Sequence, residues 1–236
     1  MAAPTLSDYQ QSDWTDFSTA SEVTPTVTWS AGDVILVLGM TEGNAYTLNT
    51  PTATGLTFAA LAGTPTNDAN SCKGYAWSAT AGSSGSGAVT ATMGGASGAR
   101  GIAVFVFSGS DGLGTPVVSA ALGATTTQSL TRVQANSFVG QVWGDWNAVN
   151  DTVVTWTPSG QTQRVAQFVS GSATFFVANW GDQGATGTTS YGFSGYAGGD
   201  MTAITIEVKG TSGGGPAFIA SENAPILQAV HRSNYF

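Results

Sequence analysis

The chain has 236 residues, of which 14 are acidic and six basic, giving a formal net charge of −8. Charged residues make up 8% of it, against about 25% in an average soluble domain. Because nucleic acids and anionic membranes are bound through clustered Lys and Arg, these scattered basic residues argue against both partners. With one histidine and one cysteine, the chain has few side chains that could serve nucleophilic catalysis or bind a metal ion. We therefore expect a β-rich structural or binding protein that is no enzyme and holds no cofactor or metal.

Strand patterns alternate with turn signals from the N-terminus onward. Residues 1–22 are polar, and we interpret them as an N-terminal arm whose aromatic residues Tyr9, Trp14 and Phe17 would bind neighbouring chains. Strand signals follow at 23–29, 33–39, 73–80, 88–93 and 101–108, and the second of these contains the uninterrupted apolar run 34–38, as expected for a central strand. Clusters rich in Gly, Ser and Asn separate the strands. This spacing predicts an all-β fold, a β-sandwich of the jelly-roll or immunoglobulin-like kind.

The second half of the chain repeats the strand pattern of the first. Residues 31–37 align with 134–140 at an offset of 103 (134 − 31), and residues 96–109 align with 197–210 at an offset of 101 (210 − 109). We therefore predict a β-sandwich over 23–210 with an internal repeat, 23–115 and 128–210. The two halves would form either two sandwiches or one sandwich with pseudo-twofold symmetry.

The C-terminal residues change character. Residues 211–216 (TSGGGP) are typical of a flexible linker, and apolar residues follow them. We interpret 211–236 as a glycine linker and a C-terminal apolar strap, which packs on another chain or back on its own domain. Its anchoring side chains would be Phe218, Ile219, Ile226, Leu227, Tyr235 and Phe236.

Seven tryptophans indicate a second function, because exposed Trp beside Asp and Asn form sugar-stacking platforms. Tryptophans at strand positions are otherwise core residues, which is the interpretation we favour for Trp29, Trp77 and Trp156. The best candidates for glycan binding are Trp143, Asp145, Trp146, Asn147 and Trp180.

Acidic residues leave a third hypothesis open, a hydrolase, because glycosidases need only two carboxylates about 5–9 Å apart. Most of these residues lie in turn-like contexts, where Asp is favoured for local hydrogen bonds to the backbone. Residues 145–151 also look superficially like a calcium loop but lack the EF-hand glycine and glutamate, so only a loop site of another kind remains open. The candidate carboxylates are Asp33, Glu42, Asp68, Asp111, Asp145, Asp151, Asp182, Asp200 and Glu207.

Four strand motifs carry a family resemblance: AGDVILV at 31–37, YAWSATAG at 75–82, VTATM at 89–93 and IAVFVFSG at 102–109. With their weaker second copy, they resemble β-sandwich virion proteins of tailed bacteriophages, especially those of actinobacterial hosts, over residues 23–210. The resemblance implies a capsid-decoration or tail-associated protein that contacts other virion proteins and its own copies as a homo-oligomer. It carries over no catalytic residue. No signal peptide is visible, so we expect synthesis in a host cytoplasm and a final location in the virion. The alternative is a carbohydrate-binding or host-receptor-binding module that contacts a host surface glycan.

Overall fold

The computed structural model describes residues 2–14, 20–43, 46–66, 72–94, 98–120, 122, 125–146, 149–150, 152–171, 173–181 and 185–211. Over these residues the secondary structure consists of seventeen β-strands, which confirms the predicted all-β class. They contain no helix that could span a membrane. The strands are β1 (Thr5–Gln11), β2 (Ser21–Trp29), β3 (Val34–Thr41), β4 (Thr47–Leu48), β5 (Ala59–Ala60), β6 (Lys73–Thr80), β7 (Gly85–Gly94), β8 (Arg100–Ser108), β9 (Ser110–Leu113), β10 (Val117–Ser119), β11 (Thr127–Arg132), β12 (Phe138–Asp145), β13 (Thr155–Thr157), β14 (Thr162–Val169), β15 (Ala173–Trp180), β16 (Gly187–Ser194) and β17 (Met201–Gly210).

The two halves of the chain have the same strand order. The first unit, β1 to β8, forms a large sheet of order β1-β8-β3-β6-β5 and an outer sheet of order β2-β7-β4. The second unit, β10 to β17, forms a large sheet of order β10-β17-β12-β15-β14, joined by β9, and an outer sheet of order β11-β16-β13. Adding nine to each strand number of the first unit gives the second, so every strand of one unit has an equivalent in the other.

The four sheets stack as layers, with the large sheets face to face in the middle. Leu36, Leu38 and Phe105 of the first unit share one apolar cluster with Val142 and Ile206 of the second. Alternate residues of a strand point to opposite faces, so the intervening side chains of the large sheets pack under the outer sheets instead. The central strands β3 and β12 are consequently buried along their whole length. This explains the uninterrupted apolar run that predicted a central strand at 33–39.

Strand pairing corrects the alignment of the two halves by one residue. Val34 pairs with Phe107, and Phe138 pairs with Val208. With β8 and β17 at an offset of 101, Phe138 is therefore equivalent to Val34, an offset of 104 (138 − 34) instead of 103. The turns before these strands agree, because the positive-φ residues Gly32 and Asn136 are also 104 apart (136 − 32). The alignment of 31–37 with 134–140 is wrong because a one-residue shift would move each core side chain to the opposite face.

Equivalent positions face each other across the shared core. A Cβ atom built at Gly140 would lie 3.2 Å from Leu36 Cδ2, and one built at Gly144 would lie 2.7 Å from Met40 Cγ. Both pairs differ by 104 residues. Contacts between equivalent positions characterise an isologous twofold interface. The two units therefore pack as a covalently linked pseudo-dimer around one core.

The N-terminal residues belong to this sandwich. β1 pairs with β8 at the edge of the first large sheet. Trp14 is 2% exposed, with its ring 5.4 Å from that of Phe175. Tyr9 is half-buried, and its ring lies 4.9 Å from that of Phe105. The prediction that Trp14 anchors another chain is wrong, because its side chain is already buried in its own core.

Several predicted anchors cannot be compared with the structure. Phe17 lies outside the described residues, as do the strap residues Phe218, Ile219, Ile226, Leu227, Tyr235 and Phe236.

Candidate docking cleft

The large sheets have long edge strands, β1 and β14, on one side of the molecule. The guanidinium carbon of Arg164 in β14 lies 4.8 Å from the ring centroid of Tyr9 in β1, so the two edges are in contact. Burial raises the pKa of Tyr9, opposed by the nearby charge of Arg164. Each strand also changes register, β1 between Leu6 and Asp8 and β14 between Gln163 and Val165. Bulges and charged side chains hinder an edge strand from pairing with another chain, so the edge strands on this side are protected from such pairing.

On the opposite side the edge strands are short, two residues in β5 and three in β10. A cleft of about 470 Å³ opens between them, within the range of roughly 300–1,000 Å³ typical of ligand pockets. The first unit contributes Leu61 and Ala62, and the connection between the units contributes 113–116. The remaining lining residues are Thr131, Val133, Glu207 and Lys209.

A break in strand pairing explains the opening. Leu113 pairs with Val208 and Val117 pairs with Thr205, but residues 114–116 between them are outside the ladder. Pro116 has no N–H to donate, and Gly114 N donates to Glu207 O at 2.8 Å. The equivalent edge of the first unit is the longer strand β1. The cleft therefore lies where the pseudo-twofold relation between the units breaks down.

Glu207 connects the cleft to the start of β12. Its side chain is 1% exposed and accepts hydrogen bonds from Val133 N at 3.0 Å, Gln134 N at 3.1 Å and Ser137 Oγ at 2.6 Å. These bonds hold the turn that leads into the second central strand. Because this carboxylate is already engaged, the cleft offers a partner a mixed lining: the apolar side chains of Leu61, Leu113, Pro116 and Val133 and the polar side chains of Thr115, Thr131 and Lys209.

Two residues of the predicted glycan site are buried. Trp143 is 0% exposed, its ring lies 5.3 Å from that of Phe193, and its indole N–H donates to Gln141 Oε1 at 3.1 Å. Asp145 is also 0% exposed and accepts hydrogen bonds from Tyr196 Oη at 2.7 Å and Gly199 N at 3.2 Å. Their prediction as an exposed sugar platform is wrong, because this strand is covered on both faces.

The two remaining tryptophans of that site are far apart. Trp146 follows the last residue of β12, whereas Trp180 pairs with Val139 near its first residue. Seven strand positions (146 − 139) correspond to about 23 Å at ~3.3 Å per residue. Asn147 lies outside the described residues. The predicted group is therefore not assembled into one site.

Trp146 has neighbours that the sequence did not indicate. It is 44% exposed, and its indole nitrogen lies 3.7 Å from the position a Cβ atom would take at Gly43. Tyr46 lies beside the same glycine, at 3.9 Å. Gly43 has a φ of 64°, a backbone conformation that favours glycine. The two aromatic residues are 100 positions apart in sequence (146 − 46), so no local pattern could have linked them.

The buried carboxylates of the described residues are all engaged in structural contacts. Asp33 accepts a hydrogen bond from Ser30 N at 2.8 Å, and Glu22 forms an ion pair with Arg100 at 2.9 Å. Asp145 and Glu207 have the bonds given above. No group of three or more His, Cys, Asp or Glu in the described ranges could hold a metal ion.

Sequence alone missed the ion pair of Glu22 with Arg100, because nothing local links residues 78 positions apart (100 − 22). Of the other candidate carboxylates, Glu42 Oε2 accepts a hydrogen bond from Ala99 N at 3.0 Å. Three more, Asp68, Asp151 and Asp182, lie outside the described residues.

Comparison with known proteins gives no match to a family model, a curated protein or a solved structure. The described strands form an all-β scaffold of four stacked sheets. The edge strands β1 and β14 lie on one side of it, and the cleft lies on the other.

Proposed function

We propose that the protein is a structural component of a bacteriophage virion, a capsid-decoration or tail-associated protein that acts through protein–protein contacts. The observation that carries this proposal is the use of the buried carboxylates. Glu22 joins β2 to β8 through Arg100, Asp145 holds the 196–199 segment, and Asp33 and Glu207 hold turns. Carboxylates engaged in buried hydrogen bonds and an ion pair stabilise the fold, as expected for a scaffold, whereas a hydrolase must present a carboxylate pair to its substrate.

The strand motifs quoted above support the virion assignment through their resemblance to phage β-sandwich proteins. The low content of charged residues is consistent with a subunit that is surrounded by other chains in an assembly. The shared core of the two units supplies a single body from which terminal segments and loops can contact neighbours.

The test is whether the chain is a stoichiometric part of the particle. Particles released from cells that carry the gene would be purified on a density gradient, washed in high salt and quantified by mass spectrometry against the major capsid protein. We expect a fixed copy number in the washed particles. A chain that remains in the supernatant would contradict a virion role.

A truncated variant tests the role of the C-terminal segment in the same preparation. Removal of residues 216–236 leaves all seventeen described strands in the chain, so we expect unchanged circular dichroism but loss from the particles. Incorporation of the truncated chain at full occupancy would show that this segment is not the anchor.

We propose glycan binding as a second candidate function, because Trp146 is exposed and lies near Tyr46 across Gly43. An aromatic face beside a second ring can stack on the apolar face of a sugar. A glycan array would compare the parent with Trp146→Ala and with Val153→Ala, a control at the 84% exposed Val153. We expect weaker binding for Trp146→Ala alone, because this substitution removes the aromatic face on which a sugar would stack. Absence of glycan binding by the parent would exclude this function.

A further inference from the structure

We infer that Gly43, Tyr46 and Trp146 form an aromatic notch that binds uncharged sugars and disfavours anionic ones. This inference rests on the second proposed function, glycan binding at Trp146. It adds the class of sugar, which is determined by the acidic residues around the notch.

The notch has a glycine between two aromatic side chains. Trp146 Nε1 lies 3.7 Å and Tyr46 Cε2 lies 3.9 Å from the position that a Cβ atom would take at Gly43, so both rings border the same point. The positive φ of Gly43 disfavours any larger residue there. Tyr46 also packs against Gly98, where a Cβ atom would lie 2.5 Å from Tyr46 Cε2, and this contact holds its ring in place. A ligand that lies between the two rings therefore meets backbone and no side chain at position 43.

Three carboxylates lie at the strand ends beside the notch. Glu42 is the chain neighbour of the notch glycine, and Asp145 is the chain neighbour of the notch tryptophan. Asp200 precedes Met201, which pairs with Asp145. Burial raises the pKa of the Cys72 thiol, and the charges of Asp145, Glu42 and Asp200 raise it further. The three acidic groups therefore surround one point at this end of the core.

Little positive charge balances these carboxylates. Lys73 pairs with Thr41 at the same strand ends, and Arg100 is already engaged in its ion pair with Glu22. Outside that ion pair, three carboxylates and one lysine leave a surplus of two negative charges (3 − 1) among the described residues here. The other basic residues of the described chain lie near the cleft or in edge strand β14: Arg132, Lys209 and Arg164.

This surplus determines which sugars the notch favours. Repulsion by two unit charges across about one sugar ring in water weakens binding of an anion roughly fivefold at low salt. An uncharged sugar has an apolar face that stacks on an aromatic ring, and it meets no such repulsion. The charge preference follows from residues outside the stacking contact itself, so it can fail while glycan binding persists.

The test is a glycan array on which each uncharged oligosaccharide is printed beside its uronate, the same sugar with its terminal C6 hydroxymethyl group oxidised to a carboxylate. The probes are lactose, maltotriose and cellotriose. At low salt we expect the full chain to bind an uncharged probe roughly fivefold more tightly than its uronate. The difference should shrink at about 1 M salt, where the Debye length is about 3 Å.

Each outcome of the array has a separate meaning. Equal or tighter binding of the uronates, or a preference that salt leaves unchanged, would overturn the inference and leave glycan binding intact. Absence of binding to every printed glycan would overturn both.

A pair of matched variants tests the origin of the preference. Asp200→Asn removes one charge beside the notch, and Asp111→Asn removes one exposed charge near the other end of β17, where Ser110 pairs with Gly210. Nine strand positions (210 − 201) separate the two ends of β17 by about 30 Å at ~3.3 Å per residue. We expect Asp200→Asn alone to reduce the preference for the uncharged sugar roughly twofold. Equal effects of the two variants would overturn the inference, and the salt series on the parent tests it independently of either substitution.

Discussion

The contact between Met40 and Gly144 tests whether the two units meet as a pseudo-dimer. A methyl group added at Gly144 would lie 2.7 Å from Met40 Cγ and 3.0 Å from Cys72 Cβ, closer than packed atoms tolerate. Overpacking of this kind costs about 1–3 kcal/mol of folding free energy, so we expect Gly144→Ala to be destabilising by that amount. Met40 is 0% exposed, and Met40→Ala should cost about 2–5 kcal/mol through the cavity it leaves.

The two substitutions should not be additive. In the double variant the added methyl group enters the space that Met40 vacates, so each change relieves part of the cost of the other. We expect the double variant to be more stable than the sum of the single effects by about 1–3 kcal/mol, the usual range for residues in contact.

The assay is guanidinium denaturation of the four chains, followed by tryptophan fluorescence. A matched control cycle replaces Gly144→Ala by Gly82→Ala, because a Cβ atom at Gly82 would have no neighbour within 4 Å. The control cycle should be additive. If the Gly144 cycle is additive as well, or if Gly144→Ala alone is neutral, the two units do not meet at these equivalent positions and the offset of 104 is refuted.

Two further predictions concern charge and pH. Arg100→Met should cost about 3–5 kcal/mol because it leaves the Glu22 carboxylate buried without its partner, and Glu22→Gln should restore much of this in the double variant. Equal thermal stability of Arg100→Met and the double variant would contradict the reasoning. Burial raises the pKa of Tyr196, with Asp145 adding to the rise, so the unfolded chain loses its proton first and stability should fall as pH rises above about 10. In urea titrations from pH 8 to about 11, Tyr196→Phe should show a shallower decline, and an unchanged decline would refute this assignment.

The strand pattern of the chain could be predicted because its signals are local. The apolar run at 34–38 became central strand β3, and the pattern at 101–108 became β8. Trp29 and Trp77 lie in the core, each 3% exposed, as their strand positions indicated. The alignment of 96–109 with 197–210 matched the equivalent strands β8 and β17. The two segments could be matched because their side chains follow a similar alternating pattern and their glycines have the same spacing.

The predictions that failed were those that depended on which other parts of the chain cover a residue. Trp143 and Asp145 have a polar sequence context typical of a surface loop, yet both are buried because the β11-β16-β13 sheet and the opposite unit cover β12. Trp14 was interpreted as an external anchor because the N-terminal residues are polar. In the fold it fills the space above Gly101, where a Cβ atom would lie 2.2 Å from the indole ring.

By itself the sequence determined the all-β class, the approximate strand positions and the duplication, since side-chain alternation and turn chemistry act over a few neighbouring residues. Only the tertiary structure decided the one-residue register between the halves, the ion pair of Glu22 with Arg100 and the cleft between the short edge strands. Each of these depends on residues far apart in the chain, whose proximity follows from how the sheets pair and stack.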